Sequence, residues 1–439
     1  MTGRRAAYEI LRRITQEGAY ANLAIKEEFE RSDDRPTDIG RTTALVYTAL
    51  EHMSWCDFMI EAYAKGRVHS SIRTVLRIAL AEIFFMDTPD HAACDSAAKL
   101  TAEIGKAGLK GFVNGVLRSI VRDRDAGRLP ELPSDPVEKL RITSGFPAFI
   151  VKEYVEQYGE KRAESLLSAK VDGMTLRAVF PHDAEELAAH LDAIGVPFEK
   201  SRIVPGALRI KGMNGDITED ELFKNGVMTV QSESAILACR ALDPKPGMDV
   251  LDACAAPGGK TAYLFDLMER KGSVTAWDIH PHRVKLIENT LARLNISGVS
   301  ASVRDASEYD PSLDSRFDAI LLDVPCSGLG GGSGPDARYR RTEEGVKELA
   351  RLQASILDTC SRYLKKGGSL VYSTYTLTTA EDEGVIAAFL TGHPGFSPAP
   401  VSGSVSEEIN ERGRGGMLRL FPDTDGTEGF FIAKLIRND

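Results

Sequence analysis

From Arg4 to Arg122 apolar residues recur at helical spacing, as in AAYEILRRI, ALVYTALEHM and VNGVLRSIV, and alternating β-branched runs are almost absent. That spacing predicts an all-α domain over residues 1–125. The following GRLPELPSDP sets prolines where neither a helix nor a strand ladder can continue, so 126–137 is expected to be a linker. Over 138–235 the pattern mixes a helical stretch, FIVKEYVEQYGEKRAESLL, with short strand-like runs, LRAVF, ALRIKG and VMTVQ, around the amphipathic AEELAAHLDAI. A small α+β module is predicted there. From 236 to 439 strand-like runs alternate with helical ones: MDVLDAC, GSVTAWDI, SASVRDA, FDAILLDVP and GSLVYST. That rhythm predicts an α/β domain with a doubly wound, mostly parallel sheet. The last two runs, GMLRLFP and GFFIAKLI, flank a Gly/Asp-rich turn and are expected to pair as an antiparallel hairpin at the sheet edge.

Composition changes this picture little. The 439 residues are 43% hydrophobic and 27% charged, ordinary for soluble globular domains. No apolar run reaches the ~18 residues of a membrane span, and MTGRRAAYEILRR lacks the apolar stretch of a signal peptide. A cytoplasmic protein with no membrane partner is expected. The six cysteines form no CxxC pair and no Cys/His cluster at zinc spacing, so neither disulfide nor metal is predicted. The net charge of −10 argues against a nucleic-acid partner until its distribution is seen. Residues 1–125 carry 18 basic and 18 acidic side chains, which leaves the whole deficit, 36 against 46, in the remainder. A basic face on the helical part stays open, beside the plainer reading of a partner-binding bundle.

The strongest local chemistry is DACAAPGGKT, Asp252 to Thr261, between a predicted strand and a predicted helix. In an open α/β sheet a ligand sits at the carboxyl ends of the strands, and small residues there let the backbone approach it. The motif is neither GxGxxG nor GxxxxGK[ST], which disfavours a nucleotide triphosphatase. Asp278, Asp305 and Asp323 then close the next three strands. Acids so placed accept hydrogen bonds from ribose hydroxyls or an adenine amino group. The series indicates an adenosine cofactor, and without a second dinucleotide half S-adenosylmethionine is favoured over NAD.

With DVPCSGLG, PDARYRRT, DIHPHRVKLIENTLARLNI, VRDAS and the ST-x-T of LVYSTYTLTTAEDEG added, the sequence resembles the RNA cytosine-C5 methyltransferases, and among them the bacterial 16S ribosomal RNA enzymes of the RsmB, Fmu or Sun type. The resemblance runs nearly end to end. The helical part looks like the NusB fold, and 138–235, with NGVMTVQSESAIL, looks like this family's small RNA-binding module. It implies an S-adenosylmethionine site made by Cys254, Ala255, Ala256, Pro257, Gly258, Gly259 and Lys260 with Asp278, Asp305 and Asp323. It also implies 16S ribosomal RNA as partner and a cysteine thiolate that adds to C6 of a flipped cytosine; a monomer is the expected state. Asp323 is expected to hold the cytosine edge, and Cys326 is the candidate catalytic thiol.

Three departures stand out. Where the family carries its nucleophilic cysteine this chain has Tyr375. A phenol of pKa about 10 supplies far less nucleophile at neutral pH than a thiol of about 8.5. Three readings stay open: Cys326 has become the nucleophile, as in the DNA cytosine-C5 enzymes; the protein is a catalytically impaired factor that binds S-adenosylmethionine and RNA in ribosome assembly; or a one-base change put tyrosine here. Second, Gly330 to Gly334, GGGSG, replaces an apolar and basic loop, so neither a phosphate contact nor a preorganised loop is expected there, while Arg338, Arg340 and Arg341 remain for phosphates. Third, Ser232 stands where the family commonly carries an acid.

Overall fold

The computed structural model describes residues 3–31, 38–213, 215–330, 338–339 and 341–439. They divide into two compact units, Met1–Ser168 with Ser333–Thr342, and Ala169–Gly332 with Glu343–Asp439. Among the described residues no helix is long and apolar enough to cross a membrane.

The first unit holds α1 (Gly3–Glu17), α2 (Ala21–Arg31), α3 (Ile39–Glu51), α4 (Met53–Tyr63), α5 (Ser70–Phe85), α6 (Asp90–Glu103), α7 (Lys110–Asp125), α8 (Pro136–Ser144), α9 (Ala148–Tyr158) and α10 (Glu160–Ser168). Helical spacing puts Ala7, Ile10, Leu11 and Ile14 of α1 on one face. They pack with Leu45, Val46 and Leu50 of α3, Ile72, Val75 and Leu76 of α5, and Val113, Leu117 and Ile120 of α7. Glu82, only 2% exposed, is held by Arg4 at 2.7 Å, so the charge is buried with a partner. The division between units falls after Ser168, not at the expected 138. The reason is α8, which packs on α4 while Leu140, Ile142, Phe146 and Ile150 are buried.

The second unit begins with β1 (Met174–Ala178), α11 (Ala184–Ala193), β2 (Phe198–Lys200), β3 (Ala207–Ile210), α12 (Glu221–Lys224) and β4 (Met228–Val230). The strands form an antiparallel sheet of order β2-β3-β1-β4. Leu187 and Leu191 of α11 cover Leu176, Leu208 and Met228. There follow α13 (Glu233–Leu242), β5 (Asp249–Asp252), α14 (Gly259–Leu267), β6 (Ser273–Asp278), α15 (Pro281–Arg293), β7 (Val299–Val303) and β8 (Phe317–Asp323). The chain ends with α16 (Glu343–Arg362), β9 (Leu364–Thr374), α17 (Glu383–Gly392), β10 (Phe396–Pro398), α18 (Glu407–Arg412), β11 (Met417–Leu420), α19 (Pro422–Asp425) and β12 (Phe430–Arg437).

The large sheet runs β10-β12-β9-β8-β5-β6-β7, parallel from β7 to β9, as the alternation predicts. The hairpin of β11 and β12 forms, with Met417 opposite Ala433 and Leu420 opposite Phe430. It does not lie at the edge: β12 is inside the sheet, antiparallel to β9 and β10. Phe430 to Ala433 are buried without alternation, the pattern of an internal strand. Nor is the small sheet a separate body. Arg177 of β1 reaches Asp266 of α14 at 2.8 Å, both side chains at most 5% exposed, and lies 4.2 Å from the Tyr263 ring centroid. Arg293 of α15 stacks 3.9 Å from the Phe223 ring centroid and donates to the Phe223 and Met228 carbonyls.

Candidate active site

β5 has β6 and β7 on one side and β8 and β9 on the other, so the crevice where strand order reverses opens at its carboxyl end. DACAAPGGKT occupies that crevice. The Ala255 amide donates to Trp277 O at 2.8 Å, and the Gly258 amide closes the turn on Ala255 O at 2.8 Å. Gly258 has φ +100°, and a Cβ there would lie 3.1 Å from Ile287 Cα, so both conformation and space demand glycine. Above Gly259, the first residue of α14, there is open space. This bare backbone at a helix start is a cradle a ligand can approach.

The three acids gather at the same edge. Asp278, 3% exposed at the end of β6, accepts from the His280 amide at 3.1 Å and has Arg283 3.4 Å away; the next residue, Ile279, is 50% exposed. Asp305 lies two residues past β7, and its Oδ1 accepts from Ser307 N and Oγ at 2.8 and 2.6 Å. Asp323 ends β8, with Lys260 Nζ at 2.7 Å on one oxygen and Ser373 Oγ at 2.8 Å on the other. Burial alone would lower the Lys260 ammonium, but the Asp323 carboxylate holds it above its ordinary value. The sequence reading left Asp252 without a role. It is fully buried, accepts from Thr261 Oγ1 at 2.7 Å, and burial pushes it up to about 7.

The other half of the crevice is built on β8 and β9. The Val324 amide extends their pairing to Ser373 O at 3.1 Å and delivers Pro325-Cys326 at the strand mouth. A buried network holds this turn through Glu381, whose Oε1 accepts from the Ser327 amide at 2.7 Å and from Gln353 Nε2 at 3.0 Å. Gln353 also donates to Pro325 O at 2.9 Å, and Thr378 Oγ1 donates to Glu381 Oε2 at 2.8 Å. Ser327 Oγ donates to Thr376 Oγ1 at 2.9 Å. Neither Glu381 nor Gln353 was foreseen; the only signal was an acid just after ST-x-T, in TTAEDEG.

Cys326 Sγ accepts from the Tyr375 amide at 3.2 Å and from the Gly328 amide. Burial pushes the thiol up to about 12, Glu381 pushes the same way, and the two amides pull against them. The Tyr375 backbone, not its ring, therefore addresses Cys326. The ring packs edge-on against Phe430, centroids 6.4 Å apart.

Two expectations for the following loop are corrected. Gly330 is not loose: its amide donates to Tyr375 O at 3.2 Å, its carbonyl accepts from Gly429 N at 2.6 Å, and a Cβ would strike Gly429 O at 1.9 Å. Arg338 is not available for phosphate, because it donates to Ser144 O at 3.0 Å and stacks on Phe146. The rest of GGGSG, and Arg340, lie outside the described residues. Ser232 serves as a helix cap, accepting from the Ala235 amide at the start of α13.

Comparison with known proteins agrees with this geometry. Residues 239–436 match the family described as 16S rRNA methyltransferase RsmB/F, and residues 1–122 match the NusB family. The chain is 36% identical to the probable ribosomal RNA small subunit methyltransferase B of Bacillus subtilis, over 98% of this chain and 97% of that one. Against the protein of the same name from Synechocystis it is 30% identical, covering 99% of each. A methyltransferase homolog protein from Pyrococcus horikoshii superposes with a TM-score of 0.59 at 29% identity, over 70% of this chain and all of that one. With a helical NusB-type unit, a sheet of methyltransferase topology and full-length relatives of one name, the chain belongs to the ribosomal RNA small subunit methyltransferase B family, whose members are S-adenosylmethionine-dependent RNA methyltransferases.

Proposed function

We propose that the chain methylates C5 of a cytosine in 16S ribosomal RNA, with Cys326 as the nucleophile. The observation that carries this reading is the pair of amides, from Gly328 and Tyr375, directed at Cys326 Sγ at the mouth of β8. Two backbone donors lower the cost of charge on the sulfur as a thiolate forms. Tyr375 supplies one of them through its main chain, which any residue at 375 can do.

S-adenosylmethionine, when bound, supplies an electrophilic methyl group. The open backbone of Cys254, Ala255, Ala256, Pro257, Gly258, Gly259 and Lys260 would hold it, with Asp278 for the ribose hydroxyls and Asp305 for the adenine amino group. Asp323 borders that site and is tied to Lys260 and Ser373, which orients it to accept from the amino edge of a cytosine. The Cys326 thiolate adds to C6 of the ring, raising electron density at C5; after loss of the C5 proton the thiolate is expelled. The base must be unstacked for its face to be reached, which suits an unpaired RNA segment.

RNA containing 5-fluorocytosine tests the assignment, because fluorine at C5 cannot leave as a proton. With S-adenosylmethionine present, a stable adduct is expected whose modified peptide contains Cys326. An adduct on another residue, or methyl transfer without any adduct, would sink it. The thiol pushed up to about 12 favours a second reading, a catalytically impaired homologue that binds S-adenosylmethionine and RNA during ribosome assembly. That reading requires cofactor binding with neither adduct nor methyl transfer.

A further inference from the structure

The stretch between Cys326 and α16 does not stay with the methyltransferase sheet: Ser333–Thr342 belongs to the helical unit. Its described residues make specific bonds there. The Tyr339 hydroxyl donates to Leu50 O in the last turn of α3, and Arg338 donates to Ser144 O, the last residue of α8, at 3.0 Å. Both acceptors sit at helix carboxyl ends, where carbonyls lack an intrahelical partner and the helix dipole favours a cation or a donor. The Arg338 guanidinium also lies 4.2 Å from the Phe146 ring centroid, and the Tyr339 ring packs against the helical core. Space is reserved for it: Gly145, at φ +72°, would with a Cβ come within 3.3 Å of the Tyr339 hydroxyl. Burial lowers the Arg338 guanidinium and raises the Tyr339 phenol, so each group is seated in protein and not offered to RNA phosphate.

We propose that Arg338 and Tyr339 are positioning residues for methyl transfer: seated in the helical unit, they fix the far end of the loop that begins at Pro325-Cys326. The helical unit then contributes to turnover as well as to RNA capture. The covalent path supports this. Upstream the loop is pinned by Ser327 to Glu381 and by Gly330 to Tyr375 and Gly429; downstream it enters α16, whose Gln353 holds Pro325 O and Glu381. A seat between those two ends removes conformational freedom from the intervening chain. Release of the seat lets the Cys326 turn wander, and small misplacements of a reacting group are expensive in rate.

The inference rests on the methyltransferase reading, so its test needs a readout that does not require turnover. In full-length Tyr339→Ala and Arg338→Ala, amide hydrogen exchange at Ser327 to Gly330 is expected to accelerate at least about tenfold. The kcat for methyl transfer is expected to fall about tenfold or more, with KM for RNA changed by less than about threefold. Tyr339→Phe, which keeps the ring, is expected to recover most of the rate, and circular dichroism melts establish that each variant is folded. Unchanged exchange in both alanine variants would overturn the proposal, as would accelerated exchange with an undiminished kcat. If exchange responds while no protein, Tyr375→Cys included, transfers methyl, the methyltransferase reading fails and the seating of the loop stands.

Discussion

The two halves of the crevice are built in different ways. On the β5 side recognition is a property of the main chain: a left-handed glycine, an open helix start and acids at strand ends. On the β8 and β9 side it depends on one sulfur, held by Glu381, Gln353 and two amides. The first half keeps the family pattern intact. The second keeps the scaffold while the residue beside the sulfur has become Tyr375. Main-chain recognition tolerates drift in side chains, whereas catalysis by a single atom moves only if a neighbouring atom can take over. Here Cys326 is that neighbour, within hydrogen-bond reach of the Tyr375 amide.

Substitutions that touch only one half should separate them. The largest effect is expected from Cys326→Ala: methyl transfer lost by at least about a thousandfold, with S-adenosylmethionine affinity within about twofold by calorimetry. A comparable loss of affinity would mean the halves are one site. The pH profile comes next. With the thiol pushed up to about 12, the thiolate fraction rises about tenfold per pH unit through neutrality, so kcat should climb about a hundredfold from pH 6 to pH 8. A plateau below pH 8 would argue that another group limits the rate.

Gly258→Ala addresses the opposite half. The strained φ and the contact with Ile287 should weaken S-adenosylmethionine binding about tenfold, while Cys326 alkylation by iodoacetamide is unchanged. Glu381→Ala leaves Ser327 N and Gln353 Nε2 without their acceptor, and should cost about 1–3 kcal/mol of stability in urea unfolding with cofactor affinity intact. The smallest effect concerns Asp252. Its folded pKa of about 7 lies above the unfolded value, so the folded state binds the extra proton and stability falls as pH rises from about 4 to 7. In Asp252→Asn that part of the slope should vanish from urea midpoints measured across the window.

Much of this was legible in the chain. Alternating strands and helices gave the parallel sheet, and Asp278, Asp305 and Asp323 mark strand ends because each follows an apolar run. What escaped was whatever depends on tertiary pairing. The hairpin was expected at the edge because turn signals say nothing of the third strand that covers β12. The boundary at 138 looked sound because a Pro-rich stretch reads as a linker whether or not the next helix packs back, as α8 does on α4. Arg338 read as a phosphate ligand because its carbonyl partner, Ser144, is remote in sequence. Glu381 was invisible for the same reason: its partners come from the turn after β8 and from α16.

The central claim is that Cys326 works in place of the cysteine that Tyr375 replaces. Methyl incorporation from labelled S-adenosylmethionine into undermethylated 16S RNA, compared among the native chain, Cys326→Ala and Tyr375→Cys, tests it most directly. The account predicts incorporation by the native chain that Cys326→Ala abolishes. A native chain that incorporates nothing, restored to activity by Tyr375→Cys alone, would contradict it.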